Sequence, residues 1–322
     1  MAPNIPKFSD LPLDKKGPHH NAWGLYGKDD ELGTLNRLSD SIVKAAADEI
    51  TTGVRINIDW PLDAQGDLPF FGRQQFHKEV YQKAPRIVND DVWTFNTQSS
   101  SQWDGLRHFA YQKEAKFYNG LTLDDIHGTN GVEKTDLLGI GAVAAQGGIC
   151  GRGILLDYHE WRIKQGRAHD AFDTASISVE DLKAVAASQG TEIKFGDILI
   201  IRSGYMHAYN QLSRAQIEAL RQKTPLRFTG IEQSEDMIQF LWENFSAAAG
   251  DHPSLEAWPT QKEYALHEIL LAGWGMPIGE LFDLEKLGAH CKEVGKWSFF
   301  LVSQPTYVPG GVASPPNAVA IF

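Results

Sequence analysis

The chain has 322 residues, 42% of them hydrophobic and 11% aromatic, which is enough apolar surface for a large α/β core. Its formal charge of -11 excludes the clustered Lys and Arg that nucleic acid or an anionic membrane requires. No run of about 18 apolar residues is present and Met1 to Gly17 lacks a signal-peptide core, so a cytoplasmic protein that spans no membrane is expected. Two cysteines, Cys150 and Cys291, fit a reduced compartment in which both are small apolar groups.

Residues 1–30 are rich in Pro, Lys, His and Gly and read as an extended arm; His19-His20 within it reads as a solvated pair. Residues 31–322 read as one domain. A helix is expected from Ser39, with Ile42, Val43, Ala46 and Ile50 as its apolar stripe and Gly53 as its stop. Val54 to Trp60 alternates as a half-buried strand that Pro61 ends. Further along, Ile154 to Asp157 and Asp197 to Arg202 are continuous apolar runs of the kind covered on both faces. Helices are expected over Ser178 to Ser188, Ser234 to Phe245 and Glu263 to Leu271, and closing strands over Trp297 to Val302 and Ala318 to Phe322. Strands and helices interleave without repeats, which points to a single α/β domain.

Between these elements lies Gln98-Ser99-Ser100-Ser101-Gln102-Trp103-Asp104-Gly105-Leu106-Arg107-His108-Phe109. Gln98, Gln102, Asp104 and His108 fall at even spacings, so an extended segment would present all four on one side, interrupted near Gly105. Each can bind a metal or move a proton. Trp93, Trp103, Phe109 and Tyr111 flank the row as walls for a flat substrate or as plain core. Two more groups sit where an apolar residue is expected: His267 among Leu266, Leu270 and Leu271, and Glu280 between Gly279 and Leu281.

Other signals are weaker. Gly139-Ile140-Gly141 opens a G-x-G-x-x-A pattern, but the segment before it is too short and polar for a first core strand and Gly147-Gly148 breaks the next helix, so no nucleotide cofactor is expected. No G-x-S-x-G elbow occurs, and Ser203-Gly204-Tyr205 reads as a turn.

Together these residues resemble the cyclase family that contains bacterial kynurenine formamidases and isatin hydrolases. The resemblance spans Asp30 to Asn36, Gly151 to Asp157, Gly196 to Gly204, His267 with Glu280, and Ser314-Pro315-Pro316. It implies a central mixed β structure, barrel-like and of the swivelling β/β/α type, with outer helices, and a homodimer or homotetramer. The family's metal motif, H-x-G-T-H-x-D-x-P-x-H, falls on Gln98 through His108. Asp104 and His108 match it; Gln98 and Gln102 replace two metal-binding histidines, Ser100-Ser101 the Gly-Thr pair and Leu106 the proline. Two further family ligands match His267 and Glu280.

The resemblance therefore implies a divalent-metal site of Gln98, Gln102, Asp104, His267 and Glu280. Exchange of imidazole for amide oxygen weakens it for Zn and leaves Mn or Mg as the better fit. With a metal, the expected reaction is arylformamidase-like hydrolysis of the C–N or C–O bond of a flat aromatic amide, lactam or lactone, with a metal-activated water and His108 as proton shuttle. Without one, His108, Asp104 and Glu280 suit acid/base isomerisation, such as ring closure in an aromatic natural product, with the two glutamines as donors to an oxyanion. A relative that only binds a ligand is the third reading.

Overall fold

The computed structural model describes residues 5–128, 135–167 and 169–322. Thirteen strands follow in chain order: β1 (Arg55–Asn57), β2 (His77–Gln82), β3 (Asn89–Thr94), β4 (Gln102–Asp104), β5 (Ile149–Leu156), β6 (Ser176–Ile177), β7 (Asp197–Ile201), β8 (Gly230–Ile231), β9 (Phe245–Gly250), β10 (Ile278–Glu280), β11 (Ser298–Ser303), β12 (Ala313–Ser314) and β13 (Ala318–Ile321). Nine of them form one mixed sheet in the order β1-β13-β11-β5-β7-β9-β10-β4-β12. β5, β7, β9 and β10 run parallel through its middle, and antiparallel pairs complete both sides. The apolar runs predicted as doubly covered strands are β5 and β7, and Ile198 to Ile201 are fully buried.

Helices cover the faces. Val179–Gln189 and Glu235–Asn244 start where the sequence places them, because Ser178 and Ser234 each accept a hydrogen bond from the backbone N–H three residues on. Three boundaries differ. The helix after Ser39 spans only Asp40–Ala46 and gives way to a 3-10 turn, since the chain beyond it is tied to the C-terminus by Thr52 and Gly53 N–H groups on the Phe322 carbonyl. The strand expected to Trp60 ends at Asn57; Ile58 still bonds to Ala318, but Trp60 N–H turns away to Ser101 Oγ at 2.6 Å. The helix expected from Glu263 begins at Leu266, because Glu268 turns back to accept from Ala265 N–H, and it continues as a π-helix over Glu268–Trp274.

The arm lies against the body. Ala22 N–H donates to the Gly273 carbonyl, Trp23 Nε1 to Ala272 and Trp274 Nε1 to the His20 carbonyl. Of the pair expected to be solvated, His19 is exposed, with Tyr111 and Tyr264 beside it, whereas His20 is half-buried, stacks on Phe8 and pairs with Glu235. β2 and β3 form a separate two-stranded hairpin whose strand residues are all exposed or half-exposed. No helix among the described residues is long and apolar enough to cross a membrane.

Candidate active site

The polar row is a strand only over β4. Before it, Gln98 N–H donates to Asn96 Oδ1 and Ser99 N–H to the Asn96 carbonyl, so the chain enters through a tight turn. The three serines anchor that turn: Ser99 Oγ donates to the Asn96 carbonyl, Ser100 Oγ to the Trp60 and Pro61 carbonyls, and Ser101 Oγ to the Leu281 carbonyl at 2.6 Å. After β4 the chain must pass close to Val312, whose carbonyl would lie 2.8 Å from any Cβ at position 105; only Gly105 fits. His108 follows on a turn closed by its N–H on the Gly105 carbonyl.

Alternation along β4 does the sorting. Gln102 and Asp104 point into the site, and Trp103 points into the opposite core, where it packs on Phe282 and its indole N–H donates to Ser303 Oγ. β10 lies antiparallel beside β4 with Glu280 opposite Gln102, and the Gln102 amide donates to Glu280 Oε2 at 2.7 Å. Glu280 Oε1 also accepts from Leu255 N–H and lies 3.2 Å from His267 Nε2. His267 Nδ1 is 3.1 Å from Glu256 Oε1, an ion pair off the line of a hydrogen bond.

Gln98 is the hub. Its Oε1 accepts from Arg73 Nη2 at 2.8 Å, which fixes the amide, and its Nε2 then donates to Asp104 Oδ1 at 2.7 Å and to His108 Nδ1 at 2.8 Å. Arg73 also donates to the Gln98 carbonyl. His108 Nδ1 is therefore the acceptor, and neutral His108 carries its proton on Nε2, 3.9 Å from Asp104 Oδ2.

Burial sets the charge states. It lowers the pKa of His108 to about 4, with the His267 charge adding to the effect, so the imidazole is neutral near pH 7. Burial, then the charge of Glu280, holds Asp104 well above the usual carboxylate range against the pull of His267 and Arg73. For His267 burial works against the charge, yet Glu256 and Glu280 outweigh it and keep the imidazolium. Glu280 is correspondingly held below its ordinary value despite its burial, chiefly by His267.

A cleft opens over this network, lined by Phe71, Phe109 and Trp258 on its apolar side and by Arg73, His108, Ser254, Glu256, His267 and Glu280 on its polar side. Of the four aromatic residues expected as walls, Phe109 is there. Trp93 lies on the exposed hairpin, Trp103 in the core, and Tyr111 is buried with its hydroxyl on the His19 carbonyl. Sequence reasoning missed Arg73, Glu256, Phe71 and Trp258. Glu256 carried a readable signal: it sits between Leu255 and Ala257, as Glu280 sits among apolar neighbours. It is fully buried, and neither carboxylate oxygen accepts a hydrogen bond from the described residues.

Asp104, His108 and His267 each bring one donor atom within 4.8 Å of the others, the spacing of a possible metal site. The surroundings fit a divalent cation poorly. Gln98 offers N–H groups to that space and turns its oxygen to Arg73, Gln102 spends its amide N–H on Glu280, and Arg73 and His267 already supply positive charge beside Glu256 and Glu280. Within the expected set, Gln102 Oε1 and Asp104 Oδ2 are the buried oxygens left without a hydrogen-bond partner among the described residues.

A mixed sheet with outer helices and a carboxylate, imidazole and amide cluster at its β4–β10 edge defines an α/β enzyme scaffold. The chain belongs to the cyclase family: the family model Cyclase, described as "Putative cyclase", matches residues 38–257. Among solved structures, one described as a novel cyclase superposes with a TM-score of 0.82 at 29% identity, over 94% of this chain and 99% of that one. Isatin hydrolase A from Labrenzia aggregata, bound to benzyl benzoate, shares the fold with a TM-score of 0.56 at 15% identity, over 89% of this chain and 98% of that one. The same enzyme from Ralstonia solanacearum gives 0.58 at 14% identity over 88% and 98%. No curated protein matches the chain.

Proposed function

We propose that the chain is an enzyme that rearranges a flat aromatic carbonyl compound by proton transfer, closing or opening a ring without water as reactant. The observation that carries this reading is the pairing, in one aromatic-walled cleft, of a buried carboxylate that is ion-paired with His267 and accepts no further hydrogen bond from the described residues, Glu256, with an N–H donor of settled tautomer, His108 Nε2. Phe71, Phe109 and Trp258 hold the ring. Glu256 takes the proton of a phenol O–H or an acidic C–H. The released electron pair forms the new bond within the substrate, and the displaced π pair moves to the carbonyl oxygen. That oxygen accepts from His108 Nε2–H, with Asp104, whose pKa burial and the charge of Glu280 hold well above the usual carboxylate range, 3.9 Å behind. Return of the proton from Glu256 leaves an isomer of the substrate.

The arylformamidase-like reading uses the same residues on a different proton. If Glu256 takes it from water, the product is the hydrolysed amide, lactam or lactone. The test is mass spectrometry of a panel of phenolic enones, lactams, lactones and formanilides incubated with protein kept in EDTA. Products of unchanged mass support rearrangement, and a gain of one water supports hydrolysis. Turnover that appears only on addition of Zn, Mn or Mg overturns the proton-transfer reading.

A further inference from the structure

We infer that Arg73 and Gln98 make this cleft a receptor for an oxyanion at the place where the family's metal motif predicts a cation. Arg73 comes from the segment that follows Phe70–Gly72, and its side chain reaches the cleft with one guanidinium nitrogen on Gln98 Oε1 at 2.8 Å and another on the Gln98 carbonyl. This two-pronged hold admits one orientation of the Gln98 amide, oxygen outward and nitrogen inward. The inward nitrogen spends both protons, on Asp104 Oδ1 and on His108 Nδ1. His108 is thereby left with its only proton on Nε2, aimed at the space between Asp104 Oδ2 and the cleft.

His108 Nδ1 is occupied and Nε2 is protonated, so neither nitrogen has a lone pair to give. Gln98 presents no oxygen. The guanidinium, which cannot lose its proton, lies in the wall of the same cleft and repels a doubly charged ion at short range. Glu256 and Glu280 line the same cleft, but both are paired with the His267 imidazolium, so the same three features favour an oxygen bearing negative charge at His108 Nε2, as a carboxylate, a phenolate or an enolate presents. Glutamine at position 98 and arginine at position 73 therefore act as a pair: an imidazole at 98 could not accept from the guanidinium and point a lone pair inward at once.

Binding is measured by isothermal titration calorimetry, independently of any turnover, with Zn²⁺, Mn²⁺ and benzoate as probes. The proteins are the wild type, Arg73→Met, the double variant Gln98→His with Gln102→His, and the triple variant that adds Arg73→Met, each checked for folding by circular dichroism. The wild type should bind benzoate and take up neither metal in the micromolar range. Arg73→Met should weaken benzoate by at least about tenfold. The triple variant should bind Zn²⁺ on the order of 100-fold more tightly than the double, as removal of a nearby positive charge predicts. Micromolar Zn²⁺ or Mn²⁺ binding by the wild type overturns the inference, and so does equal Zn²⁺ affinity of folded double and triple variants. Nitrogen NMR of His108 supplies a readout that a merely structural role would not move. The wild type should show Nε2 protonated, and Arg73→Met should show mixed tautomers; an Nδ1-protonated wild type overturns the assignment.

Discussion

Two buried charged clusters sit on this sheet, and their hydrogen bonding separates them. At the ends of β5 and β7, Arg202 donates to Asp157 at 3.0 Å and to both oxygens of Glu285 at 2.8 and 2.9 Å, so its guanidinium is matched prong for prong. Burial opposes the charge on Arg202, but Glu285 and Asp157 hold its pKa above the ordinary arginine value. At the β4–β10 pair the groups are as deeply buried, yet Asp104 Oδ2, Gln102 Oε1 and Ser254 Oγ have no hydrogen-bond partner among the described residues, and Glu256 has only its ion pair with His267. A saturated cluster is a structural device. An unsaturated one bears a cost of a few kcal/mol per group that a substrate can relieve, which is the reason for placing the proposed chemistry there.

Substitutions should break this contrast in opposite ways. Glu256→Gln keeps the shape of the cleft and removes the proton acceptor. We expect kcat to fall by about 10²–10⁴, with a melting temperature within a few degrees of the wild type, read by steady-state kinetics and calorimetry. Arg202→Met strands Asp157 and Glu285 and should cost about 3–5 kcal/mol in urea unfolding while kcat stays within about threefold. If both variants lose activity and stability in parallel, the distinction between the clusters fails.

The histidines give a further effect across both regions. Burial lowers His108 in the site, and His159 and His169 beyond it, to about 4 from an ordinary value of 6.5. The unfolded chain therefore takes up protons first as the pH falls, and stability should decline between pH 6.5 and about 4 by roughly 1–3 kcal/mol per histidine. His267 has the opposite sign. Its pKa is raised in the folded state, so its contribution is complete below 6.5 and is lost as the pH rises through the raised value. Urea midpoints measured from pH 4 to 9 should rise and then fall, and His159→Gln should flatten only the acid limb. The smallest effect separates wall from core: Phe109→Leu should change KM several-fold with little loss of stability, whereas Trp103→Phe, which loses its bond to Ser303, should cost about 1 kcal/mol and leave KM unchanged.

Much of this architecture was legible in the chain. The apolar runs of β5 and β7 and the serine-capped helices depend on local pattern, and the side-chain period of two separated Gln102 and Asp104 from Trp103. The elements that were misplaced at their ends, at Trp60, Glu263 and Gly53, stop where a distant group captures a backbone N–H or tethers the chain, and no local pattern encodes that.

The sequence by itself determined the mixed α/β class and the set of groups at Gln98, Gln102, Asp104, His108, His267 and Glu280, because residue type and short-range spacing are enough to mark them. Tertiary structure alone decided their roles. Arg73 lies 25 residues before Gln98 and Glu256 lies 24 before Glu280, yet one sets an amide orientation and the other pairs with His267 in the cleft. Protonation and tautomer follow from burial and from partners brought in across the sheet, and these exist only once the chain has folded.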